Sequence, residues 1–580
     1  MNTMDEDFKK YFNFDESELF IGLTGPLGTD LNTISDQISK ILLNFGYKTF
    51  SLESSGKKNS IKISREIINY KEQDNDHNLI LKEKRFPNRF KKDKSFENRN
   101  KNSYSKNKAK KYKDGLESKF DCSERQMEWG DIARSLSDEN SILACMVIEI
   151  ISKIRTEIEN ENSYKSNVKV LRRAYIIQGL KRPEEIMLLR QVYGSAFFLV
   201  GVYSEKHNRQ DYLTRKGMSN EEACIQLERD ENETVNKPYG QASRDTFGLS
   251  DFFINQDWKA KATKNALERY INLIFGNPYI TPTFDEYAMF SAYSVSLMSL
   301  DLARQVGAVI STPYEEIVAT GCAEVPKYGG GNYYTQHEEG FYWEHPKGRD
   351  IEYGRNPNKQ RISELVDEIL IDLKNNKDIQ KKMKKNKIKF YELLNKECLE
   401  EGPLKSLIEF MRSSHAESEA ILSCARNGIP TRGCTMYCTT MPCHECGKRI
   451  IGAGIDRVIF IEPYSKSKTL SQHSDSTNLG FEKVDGKVRF EPFVGVGPRK
   501  FIDLFSMQIG SGYPTVRQDK KGYPHNFEPE NAILRNSLYP ISYRVMEERI
   551  IENLKDKIDK NSVEFNFELK REQSKSQRKS

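Results

Sequence analysis

The 580-residue sequence predicts an α/β protein of two domains, each built on a mostly parallel sheet with helices against it. Three observations predict it. Short runs of β-branched and aromatic residues alternate with longer segments of helical period, the pattern of strand–helix–strand units. One such run, beginning at Phe20, passes directly through glycines into a helix. A second system of strands and helices begins near residue 284, after Gly276-Asn-Pro, and the length suffices for two or three separate cores.

The first domain is expected over 1–81 and 115–275. Phe20-Ile-Gly-Leu-Thr-Gly-Pro-Leu-Gly joins an apolar strand to a helix over Leu31–Asn44, and Tyr47–Leu52 reads as the next strand. Ile142–Ile154 is an apolar helix and Ala174-Tyr-Ile-Ile-Gln a strand. Pro183 opens another helix, because proline suits the first helical position. Ala196-Phe-Phe-Leu-Val-Gly-Val-Tyr reads as a fully buried strand, Leu249-Ser-Asp-Phe-Phe-Ile-Asn as the last strand, and Ala260–Phe275 as the closing helix.

A strand, a glycine loop and a helix in this order can cradle phosphate on backbone N–H groups. The segment resembles the P-loop small-molecule kinases, whose loop continues Gly-Ser-Gly-Lys-Ser. The resemblance implies a kinase-like parallel sheet, with Gly22, Gly25 and Gly28 as nucleotide-binding candidates and with Arg209, Arg215 and Gln241-Ala-Ser-Arg-Asp in the place of a lid. Asp30, Leu31 and Asn32 stand where that family has Gly, Lys and Ser. The phosphate-contacting lysine and the magnesium-holding hydroxyl are therefore missing, and no kinase chemistry is expected. The domain is left to bind or sense a nucleotide, or to serve as structure.

Residues 82–114 interrupt this domain. They hold fourteen Lys/Arg and four Asp/Glu, a net +10, which leaves −4 for the other 547 residues of a chain whose total is +6. With no apolar period, the segment is expected to be a disordered basic insertion. A groove for a nucleic-acid polymer would need its basic stripe beside the reactive site, and here the positive charge is concentrated elsewhere. Weak attraction of this insertion to RNA or DNA is the functional alternative to a plain loop.

The second domain is expected over 284–560. Gln305-Val-Gly-Ala-Val-Ile and Ile317-Val-Ala-Thr form a hairpin of strands. Gly329-Gly-Gly-Asn-Tyr-Tyr reads as a flexible loop whose tyrosines can stack on a base. An insertion over about 335–411 follows, with a charged helix at Ile362–Asn375, a lysine run at 381–389, and His337 and His345 as candidates for a second metal. His415–Asn427 is helical in pattern and ends at Gly428 and Pro430. Thr435-Met-Tyr-Cys-Thr-Thr is a strand that delivers Pro442 and Cys443 to a helix running to Gly452, and Val458-Ile-Phe-Ile is another strand.

His415-Ala416-Glu417 and Pro442-Cys443-His444-Glu445-Cys446 carry the chemistry. One imidazole and two thiolates at these spacings, His415, Cys443 and Cys446, make a three-ligand Zn2+ site that leaves a fourth position for water. Thiolates at a helix N-terminus gain from the helix dipole. Glu417, two residues after the histidine, is placed to handle that water's proton as the catalytic residue. Cys434 or Cys438 as a fourth ligand would instead make a closed structural knuckle, which leaves Glu417 and Pro442 without a role. His-x-Glu with Pro-Cys-x-x-Cys is the pattern of zinc deaminases that act on cytosine or adenine.

On these residues, and on Arg304-Gln-Val-Gly-Ala-Val-Ile, Ala319-Thr-Gly and Val325-Pro, the second domain resembles the cytidine and deoxycytidylate deaminase superfamily. The resemblance implies a three-layer α/β/α fold and hydrolytic deamination. Glu462-Pro-Tyr-Ser-Lys-Ser, His473-Ser-Asp, Phe490-Glu-Pro-Phe-Val-Gly-Val and Pro498-Arg resemble a narrower group, the anti-phage dCTP deaminases, which carry an N-terminal kinase-like domain. That implies deamination of free deoxycytidine nucleotides, dCTP or dCMP, control by a regulatory nucleotide or an inhibitory RNA, and a homo-oligomer. Arg304, Lys327, Tyr464, Lys466 and Lys468 are the substrate-binding candidates, with Arg499 a further cation. The superfamily usually has Asn where Ala323 stands, which puts a sugar contact in doubt; Glu324 or Asn332 are the available substitutes. Two other readings remain: a deaminase acting on DNA or RNA, and a nucleotide-sensing module whose deaminase fold has lost turnover.

The composition excludes other classes. At 37% apolar and 30% charged residues, with no long uncharged apolar run, no membrane span is expected. Met1-Asn-Thr-Met-Asp-Glu is acidic and lacks the apolar stretch of a signal peptide. Ten scattered cysteines, two of them assigned to zinc, suggest reduced thiols and a cytoplasmic protein. Residues 564–580, rich in Lys, Ser and Gln, are expected to be a disordered tail.

Overall fold

A computed structural model of the chain describes residues 18–53, 62–63, 127, 130–131, 133–135, 137–163, 172–232, 240–354, 356–375, 407, 410–464, 466–508, 515–518, 522–535, 543–554 and 556. The basic insertion 82–114, the lysine run 381–389 and the tail 564–580 lie outside them. The chain forms two compact units, Met1–Thr281 with Val494–Ser580, and Pro282–Phe493.

The first unit runs β1 (Glu18–Thr24), α1 (Leu31–Asn44), β2 (Tyr47–Glu53), β3 (Lys62–Ile63), α2 (Ile142–Ser163), β4 (Arg172–Gln178), α3 (Pro183–Tyr193), β5 (Phe197–Tyr203), α4 (Lys206–Arg215), α5 (Asn220–Asn232), α6 (Ser243–Phe247), β6 (Phe252–Asn255) and α7 (Ala260–Ile274). Five of its strands lie in the order β6-β5-β1-β4-β2, parallel to one another, and β3 pairs antiparallel with β2 at the edge. Parallel strands are covered on both faces, and the side chains of β1 show it. Leu19, Ile21 and Leu23 join one core with Ile34 and Ile38 of α1 and with Leu267 and Ile271 of α7. Phe20, pointing the other way, joins a second core with Ile148 and Ile151 of α2 and with Ile186 and Leu189 of α3.

The second unit runs α8 (Phe284–Ser296), β7 (Gly307–Ser311), β8 (Ile317–Cys322), β9 (Gln336–Glu338), β10 (Phe341–Trp343), α9 (Pro357–Asn375), α10 (Ala416–Arg426), β11 (Thr435–Thr440), α11 (His444–Gly452), β12 (Arg457–Glu462), α12 (Thr469–Gln472), β13 (Thr477–Leu479) and β14 (Val488–Pro492). Its main sheet is ordered β13-β14-β12-β11-β7-β8, parallel from β13 to β11 and antiparallel across β7 and β8. Ala308, Ile310, Met436, Cys438 and Val458 meet Ala416 and Ala420 of α10 and Ile450 of α11 on one face. On the other, α8 lies so close that a Cβ on Gly307 would fall 1.9 Å from the Ala292 carbonyl oxygen. The hairpin β9–β10 and α9 give the insertion regular structure of its own.

The boundary expected near residue 560 differs from the structure. After β14 the chain returns to the first unit: β15 (Gly495–Val496) pairs antiparallel with β6, and Leu504 of α13 (Phe501–Phe505) and Leu534 enter that unit's core. The return is secured by charge as well as packing. Arg155 is buried between two carboxylates, Glu18 of β1 at 2.8 Å and Glu547 at 2.5 Å. The Tyr543 hydroxyl donates to Glu18 at 2.7 Å and the Tyr193 hydroxyl to Glu547 at 2.9 Å. Burial works to raise the Glu18 carboxyl, but Arg155 and Arg173 beside it hold it below its usual range. Partners 392 and 525 residues apart leave no local trace in a sequence. Among the described residues no helix is long and apolar enough to cross a membrane.

Removing the central cation leaves Glu547 buried without its ion pair and Glu18 with Arg173 alone, at 2.9 Å. Arg155→Met is expected to destabilise the first unit by about 3–5 kcal/mol, read as a lowered urea midpoint, whereas Lys153→Met, whose side chain is 39% exposed against Glu149, moves it by less than about 1 kcal/mol.

Candidate metal centre and active site

Two helix starts meet in the second unit. His415 is the N-cap of α10 and Cys443 the N-cap of α11, both in extended backbone, and Cys446 lies in the first turn of α11. His415 Nδ1 stands 3.2 Å from Cys446 Sγ and 3.3 Å from Cys443 Sγ. One ligand atom from each of the three residues lies within 4.8 Å of the others. Among the described residues this is the one group of His, Cys, Asp and Glu so disposed; His337 rests against Tyr342 and His345 against Tyr333.

Close packing sets the position of α10. A Cβ on Gly321 would fall 2.3 Å from the Ala416 carbonyl oxygen and 2.6 Å from the Ala420 nitrogen. Only glycine lets β8 and the first turns of α10 approach so closely. The strand β11 then delivers Cys443 opposite His415.

The electrostatics favour a bound cation. The Cys446 thiol donates to Cys443 and, with His415 adding its own hydrogen bond and charge, pulls the Cys443 thiol down to about 4. The same bond, with burial, pushes Cys446 well up, so the two sulfurs share one proton. His415 is raised by its hydrogen bond to the Cys443 sulfur. A thiolate, a neighbouring thiol that shares its proton and an imidazole make a donor set that fits Zn2+, whose charge would displace that proton on binding. Ser418 Oγ lies 3.7 Å from Cys446 Sγ and accepts from Arg449 Nη1 at 3.2 Å, which brings a cation toward the sulfurs. The ligand motifs do not single out Ser418 or Arg449; each lies three residues after a ligand on its own helix, His415 and Cys446, which is the one signal the sequence carries for them.

Glu417 is buried in the first turn of α10. Burial lifts its carboxyl above the usual range, and the nearby Cys443 sulfur adds to the lift against the pull of His415. Cys438 is fully buried in β11 with its thiol pushed far up by burial, and Cys434 is likewise raised. Neither belongs to the metal-holding group.

Of the substrate-binding candidates, the structure joins two to the centre. Arg304 lies over the Tyr464 ring at 5.8 Å, and Tyr464 is raised by burial with the Cys443 charge contributing. Lys466 and Lys468 are exposed in the same loop. That loop is fixed to the ligand segment by Ser467, whose hydroxyl donates to the Pro442 carbonyl at 2.8 Å. Lys327 is exposed in a turn closed by its N–H to the Gly331 carbonyl, with no contact to the centre. Arg499 falls in the first unit.

Ala323 is buried at the end of β8, its carbonyl accepting from the Ser299 hydroxyl at 2.5 Å. Glu324 is already engaged, by Leu300 N–H and Val325 N–H at 2.8 Å each and by Arg349 at 3.2 Å. Asn332 is fully buried, donates to the Cys322 carbonyl at 3.1 Å, and keeps an unpartnered Oδ1. Of the two substitutes for the missing Asn, only Asn332 has an atom to spare.

In the first unit, Gly22 lies inside β1, where a Cβ would strike Leu180 and Phe197. It is a packing position. Gly25 and Gly28 belong to the loop before α1; Gly28 has φ +88°. Asp30 caps α1, accepting from the Thr33 N–H and hydroxyl.

Residues 282–462 match the family described as the cytidine and deoxycytidylate deaminase zinc-binding region. ComE operon protein 2 of Bacillus subtilis is 36% identical over 88 residues, 15% of this chain and 47% of that protein. The deoxycytidylate deaminase of Enterobacteria phage T4 is 48% identical over 54 residues, 9% of this chain and 28% of that protein. The human deoxycytidylate deaminase is 49% identical over 88 residues, 15% and 41% of the two chains. The chain thus spans less than half the length of these curated relatives. A crystal structure of the dCMP deaminase of cyanophage S-TIM5 in complex with dCMP and dUMP aligns over 37% of this chain and 100% of that one, at 16% identity and a TM-score of 0.20. The family match falls within the second unit.

Gly321→Val forces α10 off β8 and separates His415 from the cysteines. Zinc measured by elemental analysis of the purified protein is expected to fall from about one equivalent to a small fraction of that, while the neighbouring Ala319→Val retains metal.

Proposed function

We propose that the chain is a zinc-dependent deaminase of free deoxycytidine nucleotides, converting dCTP or dCMP to the corresponding uracil nucleotide and ammonia. The observation that carries the reading is a buried carboxylate, Glu417, two residues from His415 in a His/Cys/Cys group. The relatives named deoxycytidylate deaminases support the substrate class. His415, Cys443 and Cys446 would hold the Zn2+, which when bound would lower the pKa of a water to about 7.

The chain's own residues do the rest. Glu417, not a ligand, takes a proton from the attacking water and delivers it to the ring nitrogen. It then takes the remaining proton of the added hydroxyl and passes it to the exocyclic amine, so that the exocyclic C–N bond breaks, ammonia leaves and a ring carbonyl remains. Burial raises this carboxyl above the usual carboxylate range, so it holds a transferred proton more readily than a solvated carboxylate does, which suits this double duty. Tyr464 supplies a ring beside the centre, with Arg304 over it as the cation for a phosphate and Lys466 and Lys468 as the outer charges. Lys327 is a more distant candidate.

For the first unit we adopt the reading of a degenerate P-loop kinase-like domain without phosphoryl transfer, its nucleotide contacts at Gly25 and Gly28 with Gly22 packing the strand behind. In this view the protein is cytoplasmic, acts as a homo-oligomer, lowers the dCTP pool in anti-phage defence, and answers to a regulatory nucleotide or an inhibitory RNA.

Ammonia release from a panel of dCTP, dCMP, CTP and single-stranded DNA tests the substrate. Activity on dCTP or dCMP is expected; activity on DNA alone would support the polynucleotide reading, and a zinc-loaded protein inert on all four would support a sensor. Glu417→Ala is expected to retain its zinc and lose about 10²–10⁴-fold in kcat. Arg304→Ala should raise KM for the nucleotide by about tenfold and leave kcat nearly unchanged.

A further inference from the structure

The glycine loop of the first unit already holds an anion, and that anion belongs to the chain. The Leu27 N–H donates to Asp230 Oδ2 at 2.7 Å. Asp230 Oδ1 accepts from Lys181 Nζ at 3.1 Å and from the Ser243 hydroxyl at 3.0 Å. Lys181 also donates to the Gly25 carbonyl at 2.8 Å, so the ammonium is tied to the loop itself. The Asp230 side chain has no exposed surface. A carboxylate tolerates such burial only where donors answer it. A backbone N–H, an ammonium and a hydroxyl converging on two oxygens, at the mouth of a strand–glycine–helix turn, is a donor set that suits a phosphoryl group equally well.

The segment carrying Asp230 closes over the loop in three further ways. Leu27 and Tyr212 pack against Leu213 of α4, Met218, and Ala223 and Leu227 of α5. Arg209 of α4 donates to the Leu27 carbonyl at 3.2 Å and to the Ser204 carbonyl at 3.1 Å. A Cβ on Gly28 would lie 2.8 Å from the Arg209 carbonyl oxygen, so α4 rests directly on the loop. Beyond the loop, the Asp30 N–H is taken by Gln256 Oε1 at 2.8 Å. The N–H groups of Leu27 and Asp30 are thus spent on side chains of the same unit.

We propose that Asp230 is a built-in occupant of this anion site and that a nucleoside triphosphate, or another polyphosphate, enters only by displacing it and lifting α4 and α5 from the loop. The proposal rests on reading the first unit as a phosphate-loop domain. Lys181 then supplies the phosphate cation, in place of the lysine absent at position 31. Charge repulsion between the incoming phosphate and Asp230 drives the carboxylate out to solvent, so occupancy of the loop is converted into the position of α4 and α5.

Calorimetric titration of the full-length protein with sodium tripolyphosphate at low ionic strength tests this. Asp230→Asn is expected to bind at least about tenfold tighter than the wild type. Glu228→Gln, which removes the same charge from an exposed position on α5, is expected to leave affinity unchanged. Adding Lys181→Met to Asp230→Asn is expected to abolish binding. Trypsin cleavage at Arg215 or Lys216 should quicken in Asp230→Asn, and in the wild type when tripolyphosphate is added. Should Asp230→Asn fold poorly, Leu27→Ala loosens the same closure without touching a donor, and is expected to gain about threefold in affinity with faster cleavage. Equal binding by the wild type and the loosened variant overturns Asp230 as occupant while leaving the phosphate-loop reading standing. No binding by any folded variant overturns the phosphate-loop reading itself.

Discussion

The second unit depends on the approach of two helix starts. α10 and α11 each present an N-terminus, and His415 and Cys443 are the two N-caps. Partial positive charge at both ends favours the anionic form of a sulfur, and a cation then offsets the buildup of negative charge that two thiolates would create. Ligand spacing alone would not hold these ends together. The contact that does is the missing side chain at Gly321, where α10 touches β8. Glu417, also buried, lies in the first turn of the helix that Gly321 admits. The meeting of the three metal-holding atoms and the raised carboxyl of Glu417 therefore both lie at the start of that helix.

The first unit is held by a different kind of constraint. Arg155 lies between Glu18 and Glu547, and the cluster of Tyr175, Tyr193 and Tyr543 around it satisfies the remaining carboxylate oxygens. A charge cluster so deeply buried contributes little net stability over an apolar packing, but it penalises any arrangement in which one member is absent. It thereby fixes which strand and which helix the C-terminal segment returns to. The cost of a wrong partner, rather than the strength of the right one, specifies the topology.

Much of this was legible in the sequence where information is local. The helix at Leu31–Asn44, the strand at Thr435–Thr440 and the hairpin of Gln305–Ile310 with Ile317–Thr320 follow from period and turn chemistry, and the structure shows them at or within two residues of those bounds, the hairpin as Gly307–Ser311 with Ile317–Cys322. The metal group was legible for the same reason: Cys443 and Cys446 are three residues apart and each motif carries its own helix start. The domain boundary near 493 was not legible, because β15 is two residues long and owes its place to β6, some 240 residues earlier. Gly22 looked like part of a phosphate loop because the motif counts glycines without asking what each would strike; in the structure it faces Leu180, Phe197 and Leu199. The loss of the lysine at position 31 read as the loss of a phosphate cation, whereas Lys181 reaches the same loop from the turn after β4.

The second unit places anions at a helix start and the first places one on its glycine loop, by opposite means, and the difference explains their legibility. In the second, the anions are sulfurs within the helix-start motif itself, so they are fixed by local geometry and cannot leave without unfolding α11. In the first, the anion is Asp230, 203 residues from the N–H it accepts, on a helix joined to the loop by an apolar contact and a few hydrogen bonds. A local ligand suits a permanent metal, because ligand and scaffold are one element. A distant ligand on a separate helix suits exchange, because its removal breaks tertiary contacts and leaves the sheet and its two cores intact. An aspartate sealed from water by an N–H, an ammonium and a hydroxyl is stable only while the helix stays down. The energy that seats the helix and the energy that excludes a competing anion are then the same quantity, and a change in one must appear in the other.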